Sequence, residues 1–424
     1  MENTGYQRTV LDNGLRVLTE KMPHLRSVSV GVWIDVGSRS ETTPENGVSH
    51  FIEHMSFKGT KTRSAREIAR SLESLGGTLN AFTTREHTCY YARVLDDHFE
   101  VAIDVLADIL TNSLFDSQEI DRERKVILEE IKDLHDTPSD LVHDYYAATI
   151  WESHPLGRSI LGAPETVKAI ARDGIIDYVQ RHYTTDQVVI SAAGNVDHER
   201  LVQLAGEKFS FAVADGRHQL QPPQYNQGRK QIFARDSAQT HVCLGVPTLP
   251  FSHPDKYTLL ILNTVLGSGM GSRLFQSLRE QRGLAYTIYS TQDYYHDTGI
   301  FSVYLGTEAT KVTEAVELVL TEFQDIKANA LDEEELAAAK SQLIGGIMLA
   351  LEGSYSRMSR MARHELFLRS FTTLDETIAE INAITIDNIK TLVGEIFTTD
   401  RLVLAVLGPV DKSVVETIDW SILK

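Results

Sequence analysis

The sequence predicts an α+β protein built from two homologous domains. Three observations lead there. At 424 residues the chain is longer than one ordinary hydrophobic core supports. Short alternating runs bounded by turn residues are interleaved with longer stretches of helical periodicity. The order of these segments in the first half recurs about 210 residues later in the second.

The elements follow from local signals. Asn13-Gly14 between two β-prone runs over 8–18 marks a hairpin, and 27–36 alternates apolar with small residues as a further strand. Thr43-Pro44-Glu45 reads as N-cap, N1 proline and acidic first turn of a helix that carries His50 through His54, with Gly59 ending it. Ser64 to Glu67 is a capping box, and Gly76-Gly77 stops the helix it opens. A pair of strands is expected over 78–95, followed by an amphipathic helix over 97–111. A longer helix runs from Ser117 to near Pro138, and another covers 140–151. In the second half, 240–246 matches the strand before the His50 helix, and Pro254 with its helix matches Pro44 with its own. Residues 331–347 match 115–131 without a gap. The expected boundaries are 1–217 and 229–424, joined by a Gln-, Pro- and Asn-rich linker at 218–228.

Composition narrows the class of function. Hydrophobic content of 42% and charged content of 24% are those of a soluble globular protein. No run of eighteen apolar residues suggests a membrane span, and the N-terminus shows no secretory signal. Cys89 and Cys243 are too few for a disulfide framework or a cysteine zinc site, and fit a reducing cytoplasm. A net charge of −18 disfavours nucleic acid. It is compatible both with steering of basic peptides and with plain solubility. The glycine-rich run 267–273 lacks the Lys-Ser/Thr of a phosphate loop, so no nucleotide site is read there.

The stretch His50-Phe51-Ile52-Glu53-His54 carries the chemistry. On a helix, i, i+3 and i+4 share one side, so two imidazoles can bind zinc while Glu53 reaches a metal-bound water. The order is inverted relative to the His-Glu-x-x-His helix. A surface helix would show this spacing by chance in roughly a few per cent of chains this long. The repeat supplies a control: Leu260, Asn263 and Thr264 stand where the first half has His50, Glu53 and His54. A fold that needed these polar residues would need them twice.

A catalytic zinc takes three protein ligands and leaves one position open. On the long helix, Glu123 and Glu130 are seven residues apart, almost two turns, and share a face, while Glu129 points about 100° away. Glu130 is therefore expected as the ligand and Glu123 as the carboxylate supporting it. A solvated charged helix would carry the same acids, but Ala339 and Gly346 replace both in the second half.

With these residues the chain resembles the pitrilysin or insulinase family of metallopeptidases, most closely its small bacterial members and the processing peptidase β subunit. Residues 123–131 match the family's second metal segment. The resemblance implies two domains, each a mostly antiparallel sheet covered by helices, one Zn2+ per chain, and an endopeptidase with Glu53 as general base. Residues 79–86 are similar to the family's strand beside the active site, so Asn80, Ala81 and Phe82 are expected to bind substrate backbone as an added strand. From residue type alone, Asn80 fits an edge-strand or turn asparagine equally well. Arg279 and Tyr286 match the residues that donate to the oxyanion. Asp140 and Asp144, at i, i+4, fall where the β subunit binds a substrate arginine; ordinary solvent-facing acids have the same spacing. The implied partners are unfolded or presequence-like peptides, basic ones included, taken into a clamshell chamber formed by a homodimer or by a heteromer with a site-less sister chain. A non-catalytic scaffold subunit is the rival expectation. Composition adds the expectation of a cytoplasmic setting, with no nucleic acid and no membrane.

Overall fold

Gly14 closes the expected hairpin at φ +91, in the left-handed region that favours glycine, and β1 (Tyr6–Val10) pairs antiparallel with β2 (Arg16–Lys21). The structure is a computed structural model and describes residues 5–213, 220–225 and 228–423. Four more strands complete the first sheet: β3 (Ser27–Ile34), β4 (Thr78–Thr83), β5 (Thr88–Leu95) and β6 (Val188–Gly194). Their order is β1-β2-β6-β3-β5-β4, with β2 and β6 parallel and all other pairs antiparallel. β4 therefore closes one edge of the sheet.

The alternation in β3 records burial on both faces. Val28, Val30, Val32 and Ile34 enter a core built with the helices Val48–Met55, Ala65–Glu73, Phe99–Thr111, Arg172–His182 and His198–Lys208. Ser29, Gly31 and Trp33 face the helix Ser354–Leu368 instead. A side chain at Gly31 would meet Met358 Sδ at 2.7 Å and Trp33 Nε1 at 2.8 Å, so glycine leaves room for these side chains between strand and helix. Glu365, on the buried side of that helix, is fixed by Arg8 at 2.8 Å and by Arg16 at 3.5 Å.

A second sheet has the order β7-β11-β8-β10-β9, from β7 (Arg229–Ala234), β8 (Thr240–Thr248), β9 (Ala285–Tyr294), β10 (Gly299–Thr307) and β11 (Val403–Gly408). Only β7 and β11 are parallel. Without β1, the first order, β2-β6-β3-β5-β4, corresponds to it strand for strand, with the parallel pair in the same place. Lys256–Gly267, Val312–Asn329 and Ile386–Ile396 pack on one face, and Pro138–Trp151 on the other.

The compact units therefore differ from the contiguous stretches 1–217 and 229–424. Asp133–Gly157 belongs to the second unit and Leu349–Phe371 to the first. Each sheet is buried on both faces, and one covering helix of each comes from the other half of the sequence. Of the expected linker 218–228, residues 218, 219, 226 and 227 lie outside the described residues, as do 1–4 at the N-terminus. No helix among the described residues is long and apolar enough to cross a membrane.

One local expectation changes. Thr43-Pro44-Glu45 forms a separate 3-10 turn whose capping box joins Thr42 to Glu45, and the motif helix starts only at Val48, after Gly47 at φ +96. The helix is capped from a distance. Glu41, 2% exposed, accepts from Gly47 N and Ser49 N at 2.8 Å each and from Asn46 Nδ2 at 3.0 Å. A carboxylate at a helix N-terminus satisfies its orphan amides and suits its dipole.

Burial outweighs these bonds and lifts the Glu41 carboxyl from 4.5 to about 7. The folded chain then holds this proton more tightly than the unfolded chain. The group's contribution to stability is full below about pH 4.5 and is lost as pH rises through about 7. Denaturation at pH ~5 and pH ~8 is expected to show the wild type losing roughly 2–3 kcal/mol relative to Glu41→Gln, which cannot ionise. A difference between the two proteins that does not change with pH contradicts this.

Candidate metal centre

The motif helix Val48–Met55 buries Val48, Phe51, Ile52 and Met55, which turns His50, Glu53 and His54 away from the core. The long helix Ser117–Asp136 buries Ile120, Glu123, Ile127 and Ile131, and presents Glu130 beside the motif. One ligand atom from each of His50, His54 and Glu130 lies within 4.8 Å of the others. His50 Nε2 is 3.7 Å from Glu130 Oε2, and His54 Nε2 is 3.6 Å from Glu130 Oε1. Glu129 points elsewhere and pairs with Lys132 at 2.7 Å.

The separations suit a shared cation. They are too long for hydrogen bonds, whereas two ligands ~2.0–2.1 Å from a tetrahedral ion stand about 3.3–3.4 Å apart. Glu130 Oε2 is buried with no hydrogen-bond partner among the described residues, an arrangement that is costly unless a cation completes it. Burial, with His54 adding to it, holds His50 down at about 3, so its imidazole is in the neutral form that binds metal. His54 Nδ1 lies 3.1 Å from Glu123 Oε2, which places a proton on Nδ1 and the lone pair on Nε2. The donor set, two imidazoles and a carboxylate, is that of a catalytic zinc site.

Two groups at this site were not read from the sequence. Lys58 Nζ sits 2.7 Å from Glu123 Oε1, so the carboxylate behind His54 is held from both sides. Thr83, at the end of β4, donates to Glu53 Oε2 at 2.5 Å. Burial raises the Glu53 carboxyl, and the Thr83 hydrogen bond and His54 oppose that rise. Lys58 lies four residues past His54, a helical spacing that could have signalled it, although the helix ends at Met55. Nothing in the local pattern marks Thr83 or Glu41.

The remaining expected residues fall in several places. Asn80 is exposed on the edge strand β4, and its Oδ1 accepts from Ala81 N at 2.9 Å. Ala81 is buried, and the Phe82 ring packs against Trp33, His87 and Tyr91, so their side chains are used for packing. Within the second unit, Arg279 stacks over Phe275 and Tyr286 with its guanidinium carbon 4.7 and 4.8 Å from the ring centres. Tyr286 itself is 75% exposed. Asp140 and Asp144 lie on Pro138–Trp151, also in the second unit, Asp140 exposed and Asp144 half-buried.

Removing an outer carboxylate partner of a ligating histidine lowers metal affinity about 10- to 100-fold. Lys58→Met, which frees the far oxygen of Glu123, is expected to weaken zinc binding by ~10-fold in competition with a chelator. Wild-type affinity in that variant contradicts the role given to Lys58.

The family described as "Insulinase (Peptidase family M16)" matches residues 16–164, and the "Peptidase M16 inactive domain" matches residues 169–343. The chain is 42% identical over 403 residues to the uncharacterized zinc protease YmxG of Bacillus subtilis, covering 95% of this chain and 98% of that protein. It is 40% identical to an uncharacterized zinc protease of Mycobacterium leprae, covering 96% and 92%. A protease from Helicobacter pylori shares the fold, with a TM-score of 0.88 at 21% identity, covering 95% of this chain and 99% of that one. A chain of complex III from Candida albicans also shares it, at a TM-score of 0.83 and 20% identity, covering 95% and 96%. Both family segments match in order, one of them the inactive domain where the metal ligands are missing, and the chain belongs to the insulinase family of peptidases, M16.

Proposed function

We propose that this chain is a zinc-dependent endopeptidase in which Glu53 is the general base and later the general acid. The observation that carries this is the convergence of His50, His54 and Glu130 beside Glu53, in one half of the chain only. His50, His54 and Glu130 would hold one zinc per chain. When bound, zinc polarises the scissile carbonyl and makes water acidic enough to deprotonate near neutral pH. Glu53 takes the proton of the attacking water and passes it to the leaving amine.

The edge position of β4 in its sheet supports recognition of an extended peptide through backbone hydrogen bonds, with Asn80 assisting and the backbone of Ala81 and Phe82 pairing. The family resemblance assigns oxyanion donation to Arg279 and Tyr286 and an arginine subsite to Asp140 and Asp144. It also implies a clamshell chamber for unfolded peptides, formed by two copies of this chain or with a sister chain, and the low cysteine count favours a cytoplasmic setting. A scaffold role would leave the intact set of His50, Glu53, His54, Glu123 and Glu130 without a use.

Glu53→Gln is expected to retain zinc and to lose about 10²- to 10⁴-fold in kcat on a fluorogenic unfolded peptide. Full activity in that variant overturns the mechanism. The same assay, run on peptides with and without arginine near the cut, tests Asp140 and Asp144; indifference to arginine removes their subsite.

A further inference from the structure

Glu53 is attached through flexible torsions, and its usefulness as a base depends on where its carboxylate rests. Among the described residues its side chain makes one hydrogen bond, from Thr83 Oγ1 to Oε2 at 2.5 Å. Thr83 is well suited to that task. It is β-branched and so stiff at χ1, and its backbone is fixed by pairing with Thr88 at the end of the β4–β5 hairpin. The motif helix packs directly on β4.

The second half again provides the comparison. β9 ends at Tyr294, which pairs with Gly299 as Thr83 pairs with Thr88. Asn263 stands where the first half has Glu53. Tyr294 donates to Lys256 O at 2.7 Å, and Asn263 Oδ1 accepts from Ser290, four residues before Tyr294 on the same strand, also at 2.7 Å. The copy without metal ligands thus has no carboxylate at this helix position, and the hydroxyl that holds its Asn263 comes from further along the strand, while the residue at the matching strand end is directed elsewhere.

We propose that Thr83 is a positioning residue for peptide hydrolysis: its hydroxyl anchors Oε2 of Glu53 and leaves Oε1 as the oxygen that takes the proton. This rests on Glu53 being the base. Because Thr83 belongs to the edge strand, substrate pairing on β4 and placement of the base share one element.

The test uses full-length, zinc-loaded protein with Thr83→Val, which keeps the shape and removes the hydroxyl, and Thr83→Ser, which keeps the hydroxyl. Val is expected to lower kcat by about 10- to 100-fold, the scale of a misplaced catalytic group, with KM and zinc stoichiometry unchanged. Ser is expected to recover most of the loss. A crystal structure of the Val variant should show the Glu53 carboxylate moved from its wild-type position, a readout independent of turnover. Wild-type kcat in a folded, zinc-loaded Val variant overturns the proposal, as does a Ser variant as slow as Val. If Val does not fold, Thr83→Ala is read against Ser in the same way. Wild-type protein that neither holds zinc nor cleaves peptide instead overturns the site assignment itself.

Discussion

A buried carboxylate oxygen without a donor raises the free energy of a fold, and Glu130 Oε2 is in that condition while two imidazole nitrogens face the same carboxylate at 3.6 and 3.7 Å. A shared cation would resolve this. The rest of the first unit is arranged so that the three groups meet. Phe51, Ile52 and Met55 seat one helix and Ile120, Ile127 and Ile131 seat the other, so apolar packing fixes where the polar faces converge. Glu41 holds the start of the motif helix, Glu123 sets the His54 tautomer, and Lys58 holds Glu123.

The two sheets separate what the fold requires from what the chemistry requires. Strand order, the one parallel pair and helical cover on both faces recur in each unit. His50, Glu53, His54, Glu123 and Glu130 do not; their counterparts are Leu260, Asn263, Thr264, Ala339 and Gly346. The second unit builds the same architecture without them, so the fold does not require them. At the strand end that carries Thr83 in the first unit, the second carries Tyr294, which bonds Lys256 O instead of the residue at the Glu53 position.

Much of this was legible in the sequence because it is local. The Asn13-Gly14 hairpin, the Ser64 capping box and the shared face of Glu123 and Glu130 each follow from spacing within a few residues. Where the sequence misled, a local signal was used for a smaller element: the Thr-Pro-Glu start belongs to a 3-10 turn, because Glu41, rather than Thr43, caps the motif helix. The exchange of covering helices was not legible. Pro138–Trp151 and Ser354–Leu368 show ordinary helical patterns, and nothing in such a pattern says which sheet they bury. Thr83 and Glu53 are thirty positions apart and meet only once the sheet is formed.

The claim on which everything else depends is that a single metal is held by the first unit's helices. X-ray absorption at the zinc edge, on purified protein of known metal content, tests it most directly. The predicted result is one zinc per chain bound by two imidazole nitrogens and carboxylate oxygen at ~2.0–2.2 Å, with that signal lost in His50→Ala. A chain that takes up no zinc, a sulfur ligand from Cys89 or Cys243, or an unchanged spectrum in His50→Ala would contradict it.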